Sequence, residues 1–196
     1  MRSRSLGSHA FPSGTMTEDA RPRLSDLGPR IIILGPSGSG KSSLAMALHR
    51  AMDLPVVHLD QLHHLPGTEW VPRSAAEFTA LHDAAIAGDR WVMEGNYTRL
   101  LPQRLARATG LILLDVSAPM SLFRYIRRCW FERDRAGMLE GAHDRVRWAM
   151  LHHIAGPSRS NRRRYGTIFA EVALPKVALR SPRALAAFYA EHGLRR

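Results

Sequence analysis

The sequence predicts a three-layer α/β sandwich built on a five-stranded parallel sheet, and three observations carry this. Five short aliphatic or β-branched runs alternate with segments whose apolar residues recur at helical spacing, the pattern of parallel βαβ units. The first run passes directly into a glycine-rich turn and then a helical segment. Three of the runs close on or near an acid, where open parallel sheets present groups to their ligands.

Residues 1–29 are rich in Ser, Gly, Pro and Arg, show no hydrophobic period, and are expected to be a disordered tail. They lack the apolar centre of a signal peptide. Residues 30–196 are expected to form one domain. Residues 31–34 (Ile-Ile-Ile-Leu) read as a buried strand ended by Gly35. Residues 41–52 place Leu44, Ala45, Leu48 and Met52 at helical spacing. A second strand at 56–59 ends at Asp60. Residues 74–87 open with the capping box Ser74-x-x-Glu77 and carry Phe78, Leu81 and Ala85 on one face of a helix. A third strand at 91–93 ends at Glu94, a short helix follows at 100–108, and a fourth strand at 111–116 contains Asp115. A helix is expected at 120–133. Residues 134–165, rich in Arg and Gly, fit no element and read as a lid-like segment. A fifth strand at 176–179 and a closing helix at 181–192 complete the chain.

The chain has 196 residues, a net charge of +11, 45% hydrophobic and 23% charged residues, which is ordinary for a globular protein. Its single cysteine, Cys129, excludes an intramolecular disulfide and a Cys-rich zinc site. No apolar run nears the ~18 residues of a membrane span. A cytoplasmic location is expected. The 28 basic residues are 26 Arg and 2 Lys, and they are not spread evenly. Residues 31–98 sum to −3, whereas residues 99–164 carry fourteen Arg against five acids, +9. A local excess of this kind suits one anion site, such as a set of phosphates, better than a general coat for nucleic acid.

Residues 35–42, Gly-Pro-Ser-Gly-Ser-Gly-Lys-Ser, match G-x-x-x-x-G-K-[ST] in full. Glycines let successive N–H groups turn toward one point, and the helix that follows offers its positive end there. Gly35, Ser37, Gly38, Ser39, Gly40, Lys41, Ser42 and Ser43 are therefore candidates for holding ATP, with Lys41 reaching the phosphates. The Ser42 hydroxyl and Asp115, which closes an apolar strand, are candidates for holding Mg²⁺. Asp60 suits either Mg²⁺ or the proton of an attacking hydroxyl. Glu94, Asn96, Tyr97 and Arg99 form a polar turn suited to contacting a phosphoryl acceptor. Arg124 and Arg128, four apart on one helix face, and Arg133 beyond them are candidate clamps on the moving phosphoryl group. Arg159, Arg162, Arg163 and Arg164 extend the basic segment. The histidines show no metal-ligand spacing, and Trp70 suits either packing or an acceptor pocket.

The phosphate loop, then His58-Leu59-Asp60, Trp70-Val71-Pro72, Glu94-Gly95-Asn96-Tyr97, Leu113-Leu114-Asp115 and the later arginines occur in an order that resembles a known group. These are the P-loop proteins described as adenylate-kinase-like or DNA topology modulation proteins, and the likeness runs over roughly residues 30–190. It implies the nucleoside-monophosphate-kinase fold, strand order 2-3-1-4-5, an acceptor region between strands 2 and 3, and ATP and Mg²⁺ as ligands. The expected function is transfer of the γ-phosphoryl group of ATP to a nucleotide or other small-molecule acceptor. The rival reading is an ATP-binding regulatory protein that contacts nucleic acid through its basic segment with little catalysis.

Overall fold

The computed structural model describes residues 22–115 and 158–195. Five strands form one sheet: β1 Arg30–Leu34, β2 Val56–His58, β3 Trp91–Glu94, β4 Gly110–Leu114 and β5 Lys176–Leu179. Their order is β2-β3-β1-β4-β5 and every pairing is parallel, as expected.

Side chains alternate across the sheet, so each strand serves two cores. Ile31, Ile33, Val92, Ile112 and Leu114 point to one face, where they meet Leu44, Ala45 and Leu48 of α1 (Lys41–Met52) and Leu185 and Phe188 of α6 (Pro182–Glu191). Ile32, Leu34, Met93, Leu111 and Leu113 point to the other. There they meet Ile86 of α3 (Ala75–Ala87), Leu101 of α4 (Leu101–Arg107) and Tyr165 of α5 (Ser158–Glu171). Near-continuous burial of β1, β3 and β4 follows from having helices on both sides. Ser74 caps α3 by accepting from the Glu77 amide while the Glu77 carboxylate returns to the Ser74 amide, the box read from sequence.

The structure departs from the expected elements in four places. Leu24–Leu27, inside the expected tail, form a 3-10 turn, because Leu27 is fully buried in the core against the start of β4. β2 stops at His58, paired with Glu94, the last residue of β3; the ladder ends there, and Leu59–His63 form the short helix α2. Asp115 lies just past β4 rather than within a strand, its amide bonded to the Leu179 carbonyl of β5. Ser158–Glu171, a span that begins inside the expected lid-like segment, is the helix α5. The segment that follows α5 folds back on it: Lys176 Nζ donates to the carbonyls of Phe169, Ala170 and Val172 and closes the end of the helix. The expected helix at 120–133, with Arg124, Arg128, Arg133 and Cys129, and the remainder of the lid-like segment through residue 157, lie outside the described residues.

Candidate active site

β1 delivers the glycine-rich loop to the carboxyl edge of the sheet. Gly35 has φ +149°, and a Cβ there would lie 2.4 Å from the Leu114 carbonyl oxygen, so only glycine lets β1 turn this close to β4. Gly38 and Gly40 also have positive φ, and Gly40 is the N-cap of α1. The loop thus ends on the positive end of a twelve-residue helix, a fit for anionic phosphate. Lys41 Nζ rests on the Pro36 carbonyl, 3.0 Å away, inside the curl of the loop.

Glu94 stands beside the loop. In β3 it shares the parity of Val92 and so faces α1, which puts its carboxylate against the first turn of that helix. Ser42 Oγ donates to Glu94 Oε1 at 2.9 Å, and His58 Nδ1 meets the same oxygen at 2.8 Å. A carboxylate only accepts, so Nδ1 of His58 carries the proton in this contact. Both His58 and Glu94 are buried. Burial alone would raise the Glu94 carboxyl, but the His58 hydrogen bond, the nearby Lys41 ammonium and the Ser42 hydroxyl outweigh it and hold Glu94 below the usual carboxylate range.

The turn after β3 reaches back to both neighbours. Asn96 Oδ1 accepts from the Gly35 amide at 3.4 Å, and Tyr97 OH donates to Asp60 Oδ1 at 2.7 Å. Asp60 lies in the first turn of α2. Burial first, then the Asp60 carboxylate, pushes the Tyr97 phenol far above its ordinary range, which keeps it a donor. The turn itself hangs on Arg104 of α4. Its guanidinium, fully buried, donates to the carbonyls of Gly95 (3.3 Å), Asn96 (2.7 Å) and Tyr97 (3.3 Å).

On the other flank, Asp115 Oδ1 accepts from Arg162 Nε of α5 at 2.6 Å. The Asp115 contact raises the Arg162 guanidinium above its already high range. The structure therefore brings together the loop residues 35–43, Glu94, Asn96, Tyr97 and Asp60, and it places Asp115 across the loop in an ion pair. Arg99 is exposed and turned to the Thr79 hydroxyl of α3, 3.4 Å away, rather than toward the loop.

No protein-family model matches the chain, and no curated protein does. Solved structures do. A shikimate kinase from Acinetobacter baumannii, in complex with shikimate, superposes with a TM-score of 0.53 at 14% identity, over 85% of this chain and 92% of that one. The protein shares that kinase fold. A shikimate kinase from Bacteroides thetaiotaomicron (TM-score 0.49, 16% identity, 83% and 95% covered) and a gluconokinase from Sinorhizobium meliloti (0.43, 19%, 85% and 95%) are more distant. At these identities the likeness speaks for the fold.

Two groups at the site escape a reading of the sequence. Arg104 lies four residues from Leu100 and Ala108 and three from Leu101, so it sits on the apolar face of its helix; a charge on a buried stripe is the available signal. His58, which lacks metal-ligand spacing, has its role from the register that sets it beside Glu94, and no local pattern announces that register.

Proposed function

We propose that this protein is an ATP-dependent phosphotransferase of the adenylate-kinase-like P-loop class, acting on a small-molecule acceptor. The observation that carries the reading is the phosphate loop, curled by Gly35, Gly38 and Gly40 onto the α1 N-terminus, with Ser42 bonded to the strand-end carboxylate Glu94. The Ser42 hydroxyl and the Glu94 and Asp115 carboxylates beside the loop are oxygen donors of the kind that Mg²⁺ prefers. Ser42 and Glu94 would hold that ion, and Asp115 would join them once Arg162 is released; Mg²⁺ supplies charge neutralisation for the phosphates. Among the described residues no cluster of three or more His, Cys, Asp or Glu could hold a metal alone.

The loop amides and Lys41 bind the phosphates, and His58 fixes the Glu94 carboxylate that orients Ser42. Asp60, positioned by Tyr97, takes the proton of the attacking hydroxyl. Arg124, Arg128 and Arg133 are assigned to the phosphoryl clamp on their sequence pattern. The test is binding of a fluorescent ATP analogue and ADP release across an acceptor panel. Lys41→Ala is expected to lower turnover on the order of 100-fold or more; unchanged turnover in that variant overturns the proposal.

A further inference from the structure

Asp115 is held at the carboxyl edge of the sheet, where open parallel sheets meet their ligands. It directly follows β4, and its amide bonds to the Leu179 carbonyl of β5. Leu114 before it is the residue against which Gly35 turns, so Asp115 leaves the sheet beside the first glycine of the phosphate loop. Its carboxylate meets a cation of the chain itself: Arg162 Nε donates to Oδ1 at 2.6 Å.

Arg162 reaches this oxygen from a helix that is anchored without it. Three residues on, Tyr165 is buried against the sheet. Ile168, Phe169 and Val172 pack on the same cluster, and Lys176 closes the helix end. The pair is open to solvent on both sides, the Arg162 side chain being 37% exposed and that of Asp115 26%. Ion pairs this exposed contribute little to stability. A guanidinium on a long stem also leaves such a contact by turning its own side chain, with no change in the helix backbone.

The pair therefore matters for charge at the site. The phosphates of a nucleotide are repelled by a bare Asp115 carboxylate and are not repelled by one that Arg162 neutralises. For a divalent cation the preference is reversed. The bare carboxylate attracts it, and a guanidinium on the same carboxylate competes with it.

Resting on the kinase reading, we propose that Arg162 is a placeholder for the divalent cation at Asp115. It neutralises the carboxylate toward a nucleotide that arrives alone and competes for it with Mg²⁺. Arg162 acts on Asp115 rather than on the phosphates, and it thereby sets how strongly nucleotide binding depends on Mg²⁺. Nucleotide and cation affinities are linked, each changing the other by the same factor. Removal of Arg162 weakens the binding of nucleotide alone and tightens that of nucleotide with Mg²⁺, and the two changes multiply in the ratio of the two dissociation constants.

The experiment measures that ratio for a fluorescent ATP analogue, with EDTA and with excess Mg²⁺, on the full-length protein. Arg162→Gln is expected to raise the ratio of the EDTA to the Mg²⁺ value about five-fold or more. Arg162→Lys, which keeps a cation, and Arg163→Gln, which removes the exposed charge next along the helix, are expected to stay near the parent. In an Asp115→Asn background, Arg162→Gln is expected to leave the ratio unchanged, since the coupled pair is already broken. Equal weakening under both conditions assigns Arg162 to the phosphates and overturns the proposal. An unchanged ratio, an equal rise in Arg163→Gln, a rise that persists beside Asp115→Asn, or a thermal midpoint showing that Arg162→Gln no longer folds overturns it as well, and each leaves the kinase reading standing. Absence of analogue binding by the unmodified protein under both conditions overturns the kinase reading, and this proposal with it.

Discussion

Arg104 offers a perturbation in which stability and function separate. Its guanidinium is fully buried and its pKa is lowered from its ordinary high value to about 10, chiefly by burial. That lowering corresponds to about 3 kcal/mol of unfavourable charge burial at neutral pH. Against it stand the bonds to the Gly95, Asn96 and Tyr97 carbonyls. The Tyr97 carbonyl also accepts from the Leu100 amide, so Arg104→Met leaves two carbonyls short of this donor, at roughly 1–3 kcal/mol each. The two sides nearly offset. Arg104→Met is expected to lose about 0–3 kcal/mol in denaturant unfolding, and its thermal midpoint to fall by less than about 10 °C. The function responds differently, because the turn that Arg104 suspends carries both the Asn96 contact to Gly35 and the Tyr97 contact to Asp60. Displacement of that turn by an ångström is expected to lower kcat/KM on the order of 100-fold. A variant destabilised by more than about 5 kcal/mol, or one with unaltered kinetics, refutes the assignment of Arg104 as the support of the turn.

Three further outcomes follow from the same geometry. His58→Asn, which keeps a donor near the Nδ1 position, is expected to retain most turnover, whereas His58→Gln and His58→Leu lose about ten-fold; equal rates in all three would show that the Glu94 contact is idle. Gly35→Ala is expected to destabilise the protein by about 2 kcal/mol or more in chemical denaturation and to abolish ATP-analogue binding, since its Cβ has no room beside Leu114. The pKa of buried His82 is lowered, by burial and the Arg104 charge against the pull of Asp83. A lowered histidine adds stability that is full above its unfolded value near 6.5 and is lost as pH falls through the folded value. His82→Leu is therefore expected to lose less stability than the parent between about pH 7 and pH 5, and a parallel decline in the two would contradict this.

How far the sequence announces this molecule depends on where each signal lies. The strands are legible because Ile31 to Leu34, Trp91 to Met93 and Leu111 to Leu114 are apolar runs covered on both sides, and the loop because its glycines and Lys41 do one local job. α2 is not legible: five residues give no period, and its start is decided by the end of β3, a strand some thirty residues away in sequence. Leu27 looks like part of a tail because the partner that buries it, the start of β4, is distant along the sequence; Gly110 is glycine because a Cβ there would lie 2.5 Å from the Leu27 carbonyl oxygen. Glu94 has the sequence context of an acceptor contact, yet strand parity turns it to α1 and Ser42. The rings of His63, Phe78 and Tyr97 meet from three separate segments, and no local pattern announces that contact.

The capping of α5 by Lys176 has a consequence for the covalent chemistry of the protein. Among 196 residues only Lys41 and Lys176 carry side-chain amines. One lies in the phosphate loop; the other closes the helix whose Arg162 grips Asp115. Acylation of either nitrogen removes its charge, so a lysine-directed modification of this protein falls either on the phosphate loop or on the far end of the helix that carries Arg162, at the opposite edge of the sheet, and arginine, which such reagents spare, carries the rest of its positive charge.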